Sequence, residues 1–416
     1  MREVAKIQQK HTQKSLFGLL FVSALMMLYS VIYPAETGEM IRKSAILFAE
    51  KVFPSLFAFS VCAKMLVKSG ICKKLEKTPI RHLFSLFSVS FGGFSALLLG
   101  FLSGFPVGAH ILSDLLEKGE IQRKEAENLL PFCNNAGASF VIGTVGVTVF
   151  NSARVGRYLF FAQIAAALLA VSLTAGRRKE ALSSSKFDEK TPASVSAVFT
   201  SAISESALAM ISVCGYVVFF SVLTGIFLQI FRGFLPFSDV FFAFFTGIFE
   251  LSGGVFLLSE ATFPTLGKLV LCGALLGFGG ISVFLQVADR AEKATLPLSF
   301  YLKGKCMTMM FSAGFAPLFC FLGEKSFGFF WICMIFTGIF TINLIKNKII
   351  FQKSVEKRKG MLYNRNEIHC PTCAFRFWHE KNGQRRLFYV DQTERERIRR
   401  KNLCFLRIRH AYPQFR

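Results

Sequence analysis

Of the 416 residues, 52% are hydrophobic and 18% charged, with a mean hydropathy of +0.46, too little polar side chain to cover an ordinary soluble enzyme of this size. The formal charge of +23 is no nucleic-acid signature, because residues 347–416 alone hold 18 Lys and Arg against 6 Asp and Glu. The rest of the excess lies in short loops between apolar blocks, where the positive-inside bias places it. The eleven cysteines are no disulfide framework: Cys62, Cys133, Cys214, Cys272, Cys306, Cys320 and Cys333 stand at irregular spacing in apolar segments and read as small buried hydrophobes.

Residues 1–14 form a basic N-terminus, predicted cytoplasmic. Ser15 to Tyr33 then runs 19 residues without a charge, enough at 1.5 Å per residue to cross a hydrocarbon core of about 30 Å. A cleaved signal peptide fits less well, since this stretch outruns an h-region of roughly 7–15 residues. The first membrane half extends over 15–176. Its basic loops, Lys68 to Arg81, Lys118 to Lys124 and Arg177 to Lys190, all belong on the cytoplasmic side. The segment between the first two must therefore enter and leave on one side, which predicts a re-entrant hairpin near 83–117.

That segment contains Phe91-Gly92-Gly93-Phe94-Ser95 and Ser103-Gly104-Phe105-Pro106, too much Gly and Pro for one unbroken helix at about 1 and 3 kcal/mol each. Broken backbone is tolerated at membrane depth only beside protein or a watery cavity. Asp114 to Glu127 reads as two surface helices joined at Gly119, with Glu120 and Lys124 spaced for an i, i+4 pair. The adjacent amides Asn134 and Asn135 follow, suited either to glue neighbouring helices or to line a solute path, the second slightly favoured beside a broken hairpin.

A polar loop at 177–197 separates the halves. In the second, 198–346, Glu250 places a carboxylate after the uncharged run Val240 to Phe249, which reads as a cation or proton site or, if the helix stops there, as an interfacial group. Glu50 and Lys51 invite the same two readings, and Glu205 reads as interfacial. Phe278-Gly279-Gly280-Ile281-Ser282 repeats the F-G-G-x-S order of 91–95 and predicts a broken segment near 268–288 in a related half, with Gln286 just beyond as a solute contact. The loop charges Arg232, Lys268, Arg290, Lys293, Lys303 and Lys305 choose no side, so the topology of this half stays open. Apolar blocks at 306–323 and 327–345 close the membrane region.

The basic tail, 347–416, is expected to be cytoplasmic or disordered. Cys370, Cys373 and His379 offer half a zinc site without its remaining ligands, so no metal is assigned. The stretch Arg395 to Lys401 suits anionic headgroups better than nucleic acid. No Walker A loop, nucleophile elbow, H-E-x-x-H or dinucleotide fingerprint occurs, so neither enzyme activity nor a cofactor is expected. The fold class expected is an all-α polytopic bundle of two related halves with re-entrant hairpins.

Taken together, S-G-F-P-V-G-A at 103–109, K-G-E-I-x-R-K-E-A-E at 118–127, F-C-N-N-A-G at 132–137, F-E-L-S-G-G at 249–254 and F-G-G-I-S-V-F-L-Q-V at 278–287 resemble the YlbJ-type sporulation integral membrane proteins, with their nucleoside-recognition "Gate" domain. The resemblance covers roughly 15–345. It implies a distant relation to concentrative nucleoside transporters, residence in the cell membrane or outer forespore membrane of an endospore former, and help in moving dipicolinic acid into the forespore. It also implies a substrate region at Ser103, Gly104, Pro106, Asn134, Asn135, Glu250, Ser252, Gly279, Gly280, Ser282 and Gln286. A small anionic substrate and membrane lipid are the expected partners, nucleic acid is not, and a homo-oligomer is compatible with all of this. A nucleoside transporter and a non-transporting membrane protein of spore assembly remain the alternatives.

Overall fold

The computed structural model describes residues 2–69, 89–174, 194–231, 238–325, 377–381 and 384–388. The chain divides into two compact units, Met1–Asn347 and Lys348–Arg416. The apolar block at 327–345, the loop at 177–190, Cys370, Cys373 and Arg395 to Lys401 lie outside the described residues.

Among the described residues of the first unit, every regular element is a helix. Helix α1 (Arg2–Ile32) starts within the basic N-terminus, and Pro34, preset for a first helical turn, opens α2 (Pro34–Leu47). A π-helical turn, Phe48–Val52, joins α2 to α3 (Phe53–Lys68). This turn leaves Glu50 and Lys51 exposed. Next come α4 (Phe91–Ser103), α5 (Val107–Glu117) and α6 (Arg123–Cys133), then a π-helical Phe140–Val145 leading into α7 (Gly146–Phe150). The long helices α8 (Ala153–Thr174) and α9 (Val195–Phe231) follow. After them stand α10 (Asp239–Phe249), α11 (Leu251–Glu260), α12 (Thr265–Phe278), α13 (Ile281–Lys293) and α14 (Tyr301–Lys325).

Among the described residues, five stretches are long and apolar enough to cross a bilayer: Pro34–Lys68, Ala153–Thr174, Val195–Phe231, Thr265–Lys293 and Tyr301–Gly323. The protein is a polytopic, helical integral membrane protein. The second unit carries an antiparallel pair, β1 (Phe377–Lys381) and β2 (Gln384–Phe388).

Both halves use the same order of parts. In the first, α4 and α5 fold back on each other, α6 is followed by the unwound residues 134–137, and long α8 comes after; in the second, α10 and α11 pair, α12 breaks before α13, and long α14 follows. Helix α6 packs on α14 and α12 packs on α8, while α5 meets α13 and α11 meets α7, so each half completes the other.

Glycines permit the closest approaches. A Cβ on Gly100 or Gly108 would stand 2.0 or 1.9 Å from the carbonyl oxygen of Cys133, and one on Gly254 would stand 2.2 Å from the Cα of Gly247. The string at 91–95 behaves differently from its match. Gly92 and Gly93 lie inside the first turn of α4, where the Ser90 hydroxyl accepts from the N–H of Gly93, whereas Gly279 and Gly280 interrupt the chain between α12 and α13. The break in the first hairpin falls instead at Gly104 to Pro106, with Gly104 at φ +82°. Gly119, at φ +67°, turns the chain between α5 and α6 as expected, and Arg123 pairs with Glu127 nearby at 3.2 Å.

Gly108→Val and Gly254→Val are expected to lower the thermal midpoint of the purified protein by the equivalent of about 1–3 kcal/mol or more, through overpacking. Gly215→Ala, with nothing within 4 Å of the added carbon, serves as the control and should barely move it.

Candidate functional site

The first break is assembled from three elements. Helix α6 ends at Cys133, and residues 134–137 run without regular structure. The side chain of Asn134 turns back: its Oδ1 accepts from the N–H of Ala109 at 3.0 Å, capping the first turn of α5, and its Nδ2 donates to the Leu130 carbonyl at 2.7 Å. Gly137 lies against the hairpin bend, where a Cβ would stand 3.0 Å from the backbone of Ser103. The Ser103 hydroxyl donates to the Phe59 carbonyl at 3.2 Å, which ties the bend to α3. Carbonyls freed by the unwinding are taken by two buried side chains: Gln163 Nε2 donates to Ala136 O at 2.9 Å, and Lys305 Nζ donates to Asn134 O at 2.8 Å.

The second break repeats this solution with other residues. Between α10 and α11, Glu250 adopts an extended backbone and caps α11, its two carboxylate oxygens accepting from Ser252 N at 2.9 Å and Gly253 N at 2.6 Å. It is 2% exposed and both of its oxygens are engaged, so it is no free carboxylate. The bend at Glu250 faces the second interruption: a Cβ on Gly280 would lie 3.3 Å from Phe249 O and 3.4 Å from Leu251 N. Gly279 and Gly280 hold φ of +88° and +94°, conformations that side-chain-bearing residues rarely adopt.

Lys305 links the two. Its Nζ bonds Asn134 O in the first break, while a Cβ on Gly279 in the second would stand 3.9 Å from that same Nζ. The side chain is 1% exposed, and among the described residues no carboxylate lies within 4.0 Å of it. Sequence reasoning had placed Lys305 among the loop charges. The structure places it inside α14, on one face with Tyr301, Thr308 and Ser312 at helical spacing. The missed signal was its company, a cation at the head of the charge-free run Cys306 to Leu322.

Polar atoms without a hydrogen-bond partner among the described residues gather on these segments. They include Asn135 Oδ1, Gln163 Oε1, Thr246 Oγ1, Gln286 Oε1, Tyr301 Oη and Ser312 Oγ, all buried. Of the residues singled out from sequence, Ser103, Gly104, Pro106, Asn134 and Asn135 come together at the first break, and Glu250, Ser252, Gly279 and Gly280 at the second. Ser282 and Gln286 lie on α13 and are buried. Asn134 and Glu250 spend their polar atoms on backbone, whereas Asn135 and Gln286 keep an acceptor in reserve.

Over 340 residues the chain is 27% identical to "Sporulation integral membrane protein YlbJ" of Bacillus subtilis (strain 168), an alignment covering 72% of this chain and 82% of that protein. The chain is a homologue of a sporulation membrane protein. No family model matches it, and no solved structure matches.

Asn134→Ala should destabilise the protein by about 0.5–2 kcal/mol through loss of the α5 cap. Asn135→Ala, which removes an amide whose oxygen bonds nothing, should cost less in the same thermal unfolding experiment. The reverse order would show that Asn134 is not what holds the hairpin to α6.

Proposed function

We propose that the protein is a secondary transporter or facilitator for a small organic anion, acting in sporulation, with dipicolinic acid as the substrate. The observation that carries this reading is Lys305, a buried cation held by one backbone carbonyl where the two helix breaks meet. A charge inside a span is costly and calls for a partner, and burying one without a counter-ion costs several kcal/mol. A carboxylate arriving between the breaks supplies that partner. The Tyr301 hydroxyl, without a hydrogen-bond partner among the described residues, can donate to it as well.

On this reading α4–α5 and α10–α11 are re-entrant hairpins in two related halves. Helices of 13, 11, 11 and 10 residues are about 15–20 Å long, short of a hydrocarbon core of about 30 Å. Each dips in and returns, and interrupted helices at mid-membrane are where transporters hold their solutes. Asn134 and Glu250 then keep the frame, while Lys305, Asn135 and Gln286 meet the solute. The homologue's name supports sporulation as the setting. A nucleoside is the second candidate, favoured by the unpaired amides but not by the cation.

The test is uptake into proteoliposomes. Wild-type protein is expected to move dipicolinate, Lys305→Met to lower the rate at least tenfold, and Lys305→Arg to keep part of it. Nucleoside uptake that outcompetes dipicolinate would change the substrate, and no uptake of either would leave a structural role in spore assembly. A Lys305→Met protein moving dipicolinate at the wild-type rate would remove the anion site.

A further inference from the structure

Away from the centre, a cavity of about 460 Å³ lies between α3, α5, α9 and α13. It follows α5 from Val107, the first residue after the hairpin break, to Lys118, beyond the helix end. The cavity therefore joins the surface to the neighbourhood of the first break. Asp114, Lys118 and Lys293 at its mouth are exposed, whereas Lys64, Val107 and Ser113 within it are buried.

Five cationic and three acidic side chains line this space, leaving cations in excess. Part of that excess has a plain explanation. Lys68, Arg290 and Lys293 sit in the last turns of α3 and α13 and Lys118 caps α5, where cations offset the negative end of a helix. Lys64 and Ser113 fall outside it. Lys64 lies a turn deeper in α3 and is 7% exposed. Its nearest acid, Glu205, stands 3.8 Å away and is engaged more closely by Lys68. Ser113 is 6% exposed, and its hydroxyl has no hydrogen-bond partner. Among the described residues Arg290 pairs only with Asp289, at 3.9 Å, and that carboxylate is bound by Lys293 at 2.8 Å.

Three donors with spare capacity thus border one cavity, beside an apolar wall of Val67, Val107, Ile111 and Leu208. We propose that this cavity is a second binding site, an antechamber that takes a small soluble dianion with an apolar body on its way to the hairpin break. Lys64 and Arg290 meet its two anionic groups, Ser113 donates to one of them, and the apolar wall receives the body between. The class of ligand rests on the transport reading above; the place of the site does not. The mouth carries Lys68 and Lys118, residues of the basic loops assigned to the cytoplasm, so loading occurs from that side.

The experiment uses the full-length protein in neutral phosphatidylcholine nanodiscs, with dipicolinate binding followed by calorimetry in the Lys305→Met background, so that the central site is silent. Binding should persist there. Adding Lys64→Gln with Arg290→Gln should weaken it at least tenfold, and Ser113→Ala severalfold. Lys64→Arg should stay within threefold of the parent, which separates lost charge from lost folding. Picolinate, with one carboxylate, should bind at least tenfold more weakly than dipicolinate. The antechamber is overturned if Lys305→Met abolishes binding, if the double change leaves it within threefold, if Lys64→Arg loses as much as Lys64→Gln, or if picolinate binds equally. It is overturned too if the cavity residues govern binding of added phosphatidylglycerol rather than dipicolinate. Should antechamber binding persist while wild-type liposomes show no uptake, the transport reading alone fails.

Discussion

A peptide group exposed by a broken helix in a membrane protein has no water to bond, so it must find a partner inside the protein. Both interruptions meet that demand with side chains, the first with groups brought from elsewhere in the chain and the second with one at the bend itself. At residues 134–137 the freed carbonyls take hydrogens from Gln163 on α8 and Lys305 on α14, while the Asn134 amide closes the first turn of α5. At residue 250 a carboxylate supplies both acceptors for the start of α11. The long helices are therefore more than walls. They carry the groups that make the broken segments tolerable, and this binds the two halves of the membrane unit into one assembly.

Much of this arrangement could be read from residue order, because its causes are local. Long charge-free blocks mark spans, Gly119 at positive φ marks a turn, and the Gly104 to Pro106 string marks a bend in a hairpin. Where partners are distant in the chain, residue order was silent or misleading. Lys305 looks like a loop charge until α14 is seen to begin at Tyr301, and its partner is 171 residues away. The F-G-G-x-S match at 91–95 and 278–282 joined two unlike places. In the first, Gly93 is small because Leu129 and Glu125 press on it, at 2.6 and 2.7 Å from a built Cβ; in the second, the glycines are needed for their backbone angles. The same dipeptide answers two different physical demands, and only packing tells them apart. Glu250 is a third instance, since the ends of its helices were invisible and its role as a cap depends on them.

The division of labour among the polar residues follows from counting donors and acceptors. Groups fully spent on backbone set the shape, and those with an unused atom are available to a solute. By that measure the interior retains a buried ammonium, a phenol and several amide oxygens on the segments around the breaks. The name of the homologous protein places it in sporulation.

The glycine seats around Cys133 have a mechanical consequence. With Gly100 and Gly108 pressed on one carbonyl, α4, α5 and the end of α6 cannot slide past one another without collision. The Gly247 and Gly254 crossing fastens α10 to α11 in the same way. Each bent pair with its neighbouring break therefore behaves as a solid wedge. If the protein alternates between faces of the membrane, the hinge lies between the wedges, along the seam that Lys305 bridges, and the ammonium must let go of the Asn134 carbonyl each time the seam parts.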